Sequence, residues 1–212
     1  FLRFRRPPGS PLFPYTTLFR SFEVAPTLFL EFHGTEAYAV EQAESLTEIA
    51  AEFGGGNFKW TANTEERNRM WQARHDVAYA CKAMRPKGEI WATDVCVPIS
   101  RLADCITETQ ADIKNTGLLA PICGHVGDGN FHLCLVIDPD NPDERDRAEA
   151  LHERMVMRAL SMGGTCTGEH GIGYGKLDFL VAEHGEAVSV MRSIKQALDP
   201  DNIMNPGKIF RI

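Results

Sequence analysis

The chain has 212 residues, 43% hydrophobic and 24% charged, which is enough apolar mass for one sizeable core and too much for a disordered or fibrous chain. The first 21 residues carry Arg3, Arg5, Arg6 and Arg20 and no acid, so the formal net charge of −7 hides a body with 18 of the 22 basic residues against all 29 acidic ones, a net −11. An acidic body argues against nonspecific nucleic-acid binding and against a polybasic membrane patch, and no apolar run reaches the roughly 18–20 residues of a membrane-spanning helix.

The N-terminal segment, FLRFRRPPGSPLFPYTTLFRS, has four prolines, exposed aromatics and no helical or strand period. It reads as non-native sequence or a disordered tail of residues 1–21, joined to a domain of residues 22–212. Thr27 to His33 is rich in strand formers. Thr35 to Phe53 places Val40, Ala43, Leu46, Ile49, Ala50 and Phe53 on a helical stripe, which Gly54-Gly55-Gly56 stops. A short strand is expected from Asn57 to Thr61 and one helix from Thr64 to Met84. Glu89 to Val97 predicts a strand, Ile99 to Lys114 a helix, and Gly117 to His125 a strand. Gly127-Asp128-Gly129 turns the chain, and Asn130 to Ile137 returns as another strand. Asn141, Pro142 and Glu144 begin a helix as cap, first residue and third residue, and Ala148, Leu151, Met155, Ala159 and Met162 form its buried stripe. Shorter helices follow at Leu177 to Glu183 and Glu186 to Leu198. With five or six strands and a hairpin, this order predicts an α+β fold: a mostly antiparallel sheet with helices on one face, ferredoxin-like in spirit, plus C-terminal helices.

Cys81, Cys96, Cys105, Cys123, Cys134 and Cys166 form no CxxC pair, so they read as free thiols in a reducing compartment. The informative chemistry lies in GHVGDGNFH (Gly124 to His132) and GEHGIG (Gly168 to Gly173). His125 and His132 bracket a glycine-rich turn. If the six residues between them form the loop, the two are direct cross-strand partners with Cβ atoms about 4.5–5.5 Å apart, on a sheet face turned away from the helices. Glu169 adds a carboxylate, which completes a set that zinc favours and that manganese or iron(II) also accepts. His170 stands beside it, and an imidazole can move a proton near neutral pH. A packing role for the histidines and a turn role for Asp128 and the glycines is the plain competing reading. Two other classes use the same residues. One is a zinc hydrolase, with His170 or Asp128 activating water. The other is a noncatalytic metal-stabilised binding module.

At these residues the chain resembles the C-terminal domain of FAD-linked oxidases acting on D-2-hydroxy acids, of the vanillyl-alcohol-oxidase type. The resemblance covers roughly Ala25 to Phe210 and rests on GHVGDGNFH, TGEHGIG and DPDNIMNPGKIF. WQARHDVAYA followed by WATDVCVPISRL looks most like the D-lactate dehydrogenase (cytochrome) branch.

The resemblance implies a substrate and cap domain whose FAD-binding N-terminal half is missing from this chain, so that the piece alone is not expected to turn over. It implies oxidation of a D-2-hydroxy acid to the 2-oxo acid, with hydride transfer to FAD and onward transfer to an acceptor such as cytochrome c or a quinone. The compartment it implies is the bacterial cytoplasm or membrane periphery, or the mitochondrion. By family matching, His125, His132 and Glu169 hold the metal and His170 is the general base. Arg74 grips the substrate carboxylate, a task that suits a guanidinium fork. Asn130 contacts substrate from the turn, and Asn205 and Lys208 approach the flavin. His75 is a lesser candidate, while His33, His152 and His184 read as structural or solvent-exposed. Ala92 stands where the D-2-hydroxyglutarate branch tends to carry a lysine. A short substrate such as D-lactate therefore fits, with glycolate and longer aliphatic acids open.

Overall fold

The computed structural model describes residues 25–56 and 58–212; the expectation for residues 1–21 lies outside the described residues. The chain divides into two compact units, the second being Met84–Ile212.

In the first unit, α1 (Glu36–Glu52) begins where the Thr35 hydroxyl accepts the Tyr38 amide at 3.3 Å. The single helix expected from Thr64 to Met84 is two, α2 (Thr64–His75) and α3 (Val77–Met84), separated at Asp76. The Asn63 side chain accepts the Glu65 and Glu66 amides at 2.9 and 3.1 Å and so fixes the start of α2. The strand expected over 27–33 is absent. The segment carries strand formers, but a strand needs a neighbour to complete its ladder, and among the described residues none pairs with it. It packs locally instead, with Phe29 6.3 Å from Trp71 between ring centroids and Glu31 3.8 Å from Arg67. Residues 58–61 likewise form no strand.

The second unit carries β1 (Glu89–Ala92), β2 (Val95–Cys96), α4 (Ile99–Thr116), β3 (Ile122–His125), a 3-10 turn (Val126–Asp128), β4 (Asn130–Ile137), α5 (Pro142–Ser161), α6 (Leu177–His184) and α7 (Ala187–Leu198). All pairing among these strands runs through β4 and is antiparallel. β1 and β2 follow one another along one side of β4 in a single register, Trp91 opposite Leu135 and Val95 opposite Phe131. β3 takes the other side. Its assigned length is shorter than Gly117–His125, because Pro121 has no amide to give; its carbonyl still accepts Cys134 N at 2.8 Å.

The α+β class therefore holds, with four strands rather than five or six among the described residues. Trp91 meets His152 of α5 edge-on at 5.3 Å, and the Thr93 hydroxyl lies 3.7 Å from the Met155 sulfur, so α5 covers that sheet face. α4 packs beside α5, where Arg154 forks onto Asp112 at 2.8–3.1 Å and Arg158 joins it. Asn141 caps α5 by accepting Glu144 N at 3.2 Å, but Glu144 turns its carboxylate to Asp138 N and Arg85 rather than back to the cap. Phe210 of the tail joins Leu180 and Val188 in a small second core.

His152 is buried on α5 between Trp91 and Phe179, and its Nε2 finds no hydrogen-bond partner. Burial, reinforced by the Lys176 charge, pushes its pKa down to about 4. The unfolded imidazole titrates near 6.5, so stability is fully present above that value and is lost as pH falls toward the folded pKa. At pH 5 the cost is roughly 2 kcal/mol, or about 4–8 °C in Tm for a domain of this size. The His152→Leu variant is expected to lose that part of the Tm difference between pH 7.5 and pH 5, as read by thermal unfolding at the two pH values. An unchanged difference would show that His152 does not carry the acid sensitivity.

Candidate metal centre and catalytic site

The β3–β4 connection is tighter than the spacing of its histidines suggests. His125 pairs with Asn130, and His132 with Cys123, so the two histidines are diagonal rather than direct partners. The 3-10 turn makes the difference. It closes at Gly129 in the left-handed region (φ 76°), where a Cβ would collide with the Val97 carbonyl. Both histidines still share one sheet face, with ring centroids 6.1 Å apart and planes at 84°. That face is not open: all eight residues of β4 are buried, and the loop after Thr165 lies over His132. A bridge between Cys96 and Thr165 anchors the loop to β2.

Three imidazoles converge on one carboxylate oxygen. Glu169 Oε1 lies 2.9 Å from His132 Nε2, 3.6 Å from His125 Nε2 and 3.6 Å from His170 Nε2. His170 stacks on His132 at 4.8 Å with planes within 6°. The donor atoms of His125, His132 and Glu169 lie within 4.8 Å of one another. An ion about 2.0–2.2 Å from each tetrahedral ligand needs ligand atoms roughly 3.3–3.6 Å apart, so a divalent ion fits with small adjustments. His132 is also in the right tautomer. Its Nδ1 lies 2.9 Å from the Thr93 carbonyl, which can only accept, so Nδ1 carries the hydrogen and Nε2 presents its lone pair. Burial pushes the pKa of His132 down, which favours the neutral, ligating ring.

A second triad, Asp94, His132 and His170, also lies within ligand range, but its carboxylate is already engaged. Asp94 Oδ2 accepts the Thr167 hydroxyl at 2.6 Å and the amides of Gly168, Glu169 and His170 at 2.9, 3.1 and 3.0 Å. Lys176 Nζ lies 3.3 Å from the same oxygen, and Asn130 Nδ2 donates to Oδ1 at 2.7 Å. Burial would raise the Asp94 pKa, but the Thr167 hydroxyl, the His170 amide, the Asn130 side chain and the Glu169 amide outweigh it and hold the carboxyl well below the usual carboxylate range. Gly168 is needed for this approach: a Cβ there would collide with Asn130 Nδ2. The glycine therefore makes room for the protein's own Asn130 and Asp94.

Asn130 is buried, and both amide hydrogens are spent, on Asp94 and on the Val95 carbonyl at 3.0 Å. Its amide thus holds Asp94, while its buried Oδ1 has no hydrogen-bond partner among the described residues. Asp128 is an exposed turn residue whose carbonyl accepts from the Cys96 thiol at 3.2 Å. Asn205 and Lys208 lie in the tail, which Ile209 N ties to the Gly173 carbonyl at 2.9 Å. Lys208 Nζ sits 5.5 Å over the Tyr174 ring. The His125–His132–Glu169 cluster and its supports are built wholly from the second unit, whereas Arg74, half-buried, and His75, exposed, end α2 in the first. His33 and His184 are exposed. None of the six cysteines is in a disulfide.

Fold and cluster together define an antiparallel α+β domain with a histidine–carboxylate site seated on its central strand. The chain belongs to the family "FAD linked oxidases, C-terminal domain", whose model matches residues 19–209. It is 51% identical over 193 residues to "Probable D-lactate dehydrogenase, mitochondrial" of Danio rerio, covering 91% of this chain and 39% of that protein. It is 46% identical over 187 residues to "D-lactate dehydrogenase [cytochrome], mitochondrial" of Arabidopsis thaliana, covering 88% of this chain and 33% of that protein. The chain thus spans between a third and two fifths of the length of these curated relatives. Among solved structures, 4-ethylphenol oxidase from Gulosibacter chungangensis superposes with a TM-score of 0.58 at 18% identity, over 83% of this chain and 38% of that one, which is a likeness of fold.

Proposed function

We propose that this chain is the substrate- and metal-binding part of a mitochondrial FAD-dependent D-lactate dehydrogenase, which oxidises D-lactate to pyruvate and passes electrons to cytochrome c or a quinone. Family membership supports the flavin chemistry, and the names of its relatives support the substrate and compartment. The observation that carries the reading is the convergence of His125, His132 and Glu169 within ligand range, with His170 facing the same oxygen. When bound, a divalent ion of the zinc type would supply Lewis acidity at the substrate hydroxyl, and FAD would supply the hydride acceptor. His125, His132 and Glu169 are the residues that would hold the ion. His170 takes the hydroxyl proton at Nε2 as C2 loses its hydride, so the alcohol gives up two electrons and two hydrogens to become the ketone. By resemblance to the family, Arg74 would be the residue for the substrate carboxylate, and Asn205 and Lys208 those for the flavin. Among the described residues no helix is long and apolar enough to cross a membrane.

Chelation tests the reading. Dialysis of the FAD-loaded holoenzyme against a strong chelator is expected to abolish D-lactate oxidation while the flavin absorbance stays, and zinc or manganese is expected to restore turnover. Unchanged turnover after ion loss, verified by elemental analysis, would overturn it. A zinc hydrolase would instead show ester or amide cleavage that needs no flavin.

A further inference from the structure

The first side of β4 holds one register from Glu89 to Cys96, yet its ladder is interrupted at Thr93 and Asp94. The interruption is not a bulge, because no residue is added on either strand. Thr93 N still donates to the Leu133 carbonyl at 3.0 Å. The return bond is rerouted: Leu133 N donates to the Thr93 hydroxyl at 2.8 Å, not to the Thr93 carbonyl. The hydroxyl stands in for the carbonyl in the ladder and releases that carbonyl to accept from His132 Nδ1 at 2.9 Å. One residue on, Asp94 leaves the ladder altogether. Its Oδ2 gathers three successive amides, from Gly168, Glu169 and His170, together with the Thr167 hydroxyl. Successive amides aimed at one point make an anion-binding concavity, and here the anion is the protein's own. Lys176, at the far end of the same loop, donates to the Asp94 backbone carbonyl at 3.0 Å, so both ends of the loop are tied to one residue.

We propose that Thr93 and Asp94 are the positioning residues of the metal centre: Thr93 sets the tautomer and ring plane of His132, and Asp94 sets the backbone that aims Glu169 and stacks His170. The inference rests on the function proposed above and adds two residues that touch neither ion nor substrate. Two of the three ligands, His132 and Glu169, then have their supports in a single dipeptide. Thr93 serves the arm on β4, and Asp94 serves the arm on the loop. Valine at 93 keeps the shape but removes the stand-in acceptor, so Leu133 N competes with His132 for the carbonyl. Serine keeps the acceptor.

The test uses the FAD-loaded holoenzyme, zinc titrated against a competing chelator, and steady-state oxidation of D-lactate. Outer-shell substitutions at metal sites lower affinity or activity by about 10–100-fold. Thr93→Val and Asp94→Asn are each expected to weaken zinc by that factor and to lower kcat/KM with it, with flavin content unchanged. Thr93→Ser is expected to restore both to within about threefold of wild type. Thr109→Val, at a buried threonine that serves Arg158 on α4 and α5, is the control: it is expected to lower Tm and leave zinc affinity unchanged. Folded Thr93→Val and Asp94→Asn proteins that hold zinc as tightly as wild type would overturn the inference. If Asp94→Asn fails to fold, the Thr93 valine and serine pair decides. A wild-type holoenzyme that binds no divalent ion overturns the proposed function instead, so the two failures are distinct.

Discussion

Glu169→Gln in the FAD-loaded holoenzyme will reduce kcat/KM for D-lactate by about 10²–10³-fold while leaving flavin content and Tm close to wild type. A Lewis acid at a reacting oxygen contributes several kcal/mol to the transition state, and each 1.36 kcal/mol is a factor of ten. Glutamine keeps the volume of the side chain but gives up the anion, which under the proposed function is the charged member of the ligand set. The fold has little reason to respond. The Glu169 side chain is half exposed, and the backbone amide that Asp94 holds is untouched by the substitution. Turnover and zinc content, measured on the same preparation, check the expectation. Loss of zinc with loss of turnover is the result expected. Full turnover with no zinc would show that the carboxylate serves only to pair with the histidines.

The meeting of His125, His132 and Glu169 was legible because metal chemistry uses few residue types and the two motifs keep such candidates in short, glycine-spaced runs. The strand from Asn130 to Ile137 and the cap at Asn141 were legible for a similar reason: their signals are local and continuous. What lay outside reach was whatever depends on a distant partner. Strand formers run through residues 27–33, but no neighbour completes a ladder. The direct pairing of His125 with His132 failed because a 3-10 turn and a left-handed glycine close the hairpin in fewer residues than the histidine spacing suggests.

Asp94 is the instructive omission. In EIWATDVCV it stands as an acid within an apolar strand, and its partners are the amides of a loop more than seventy residues away. A buried carboxylate must be paired or hydrogen-bonded, so the pattern did contain a question. The spare amides of a glycine-flanked TGEHG loop were its answer, but only the fold brings question and answer together. The same fold gives Asn130 a place in the support of Asp94.

His170→Ala is expected to lower kcat by about 10²–10⁴-fold, the range that a positioned general base contributes, with zinc and flavin both retained. The separation from the metal ligands is the informative part. His170 Nε2 lies as far from Glu169 Oε1 as His125 Nε2 does, 3.6 Å in each case, so distance alone does not distinguish a base from a ligand. Burial and stacking do more. His170 is exposed and lies flat on His132, a placement that leaves its ring edge free to meet a substrate hydroxyl. Alanine at this exposed position opens a space that free imidazole can enter, so added imidazole should restore part of the lost turnover, and the solvent deuterium isotope effect should rise in the variant as transfer of the hydroxyl proton becomes slower. Zinc lost together with activity, and no rescue by imidazole, would reassign His170 as a fourth ligand and leave the base to be sought elsewhere.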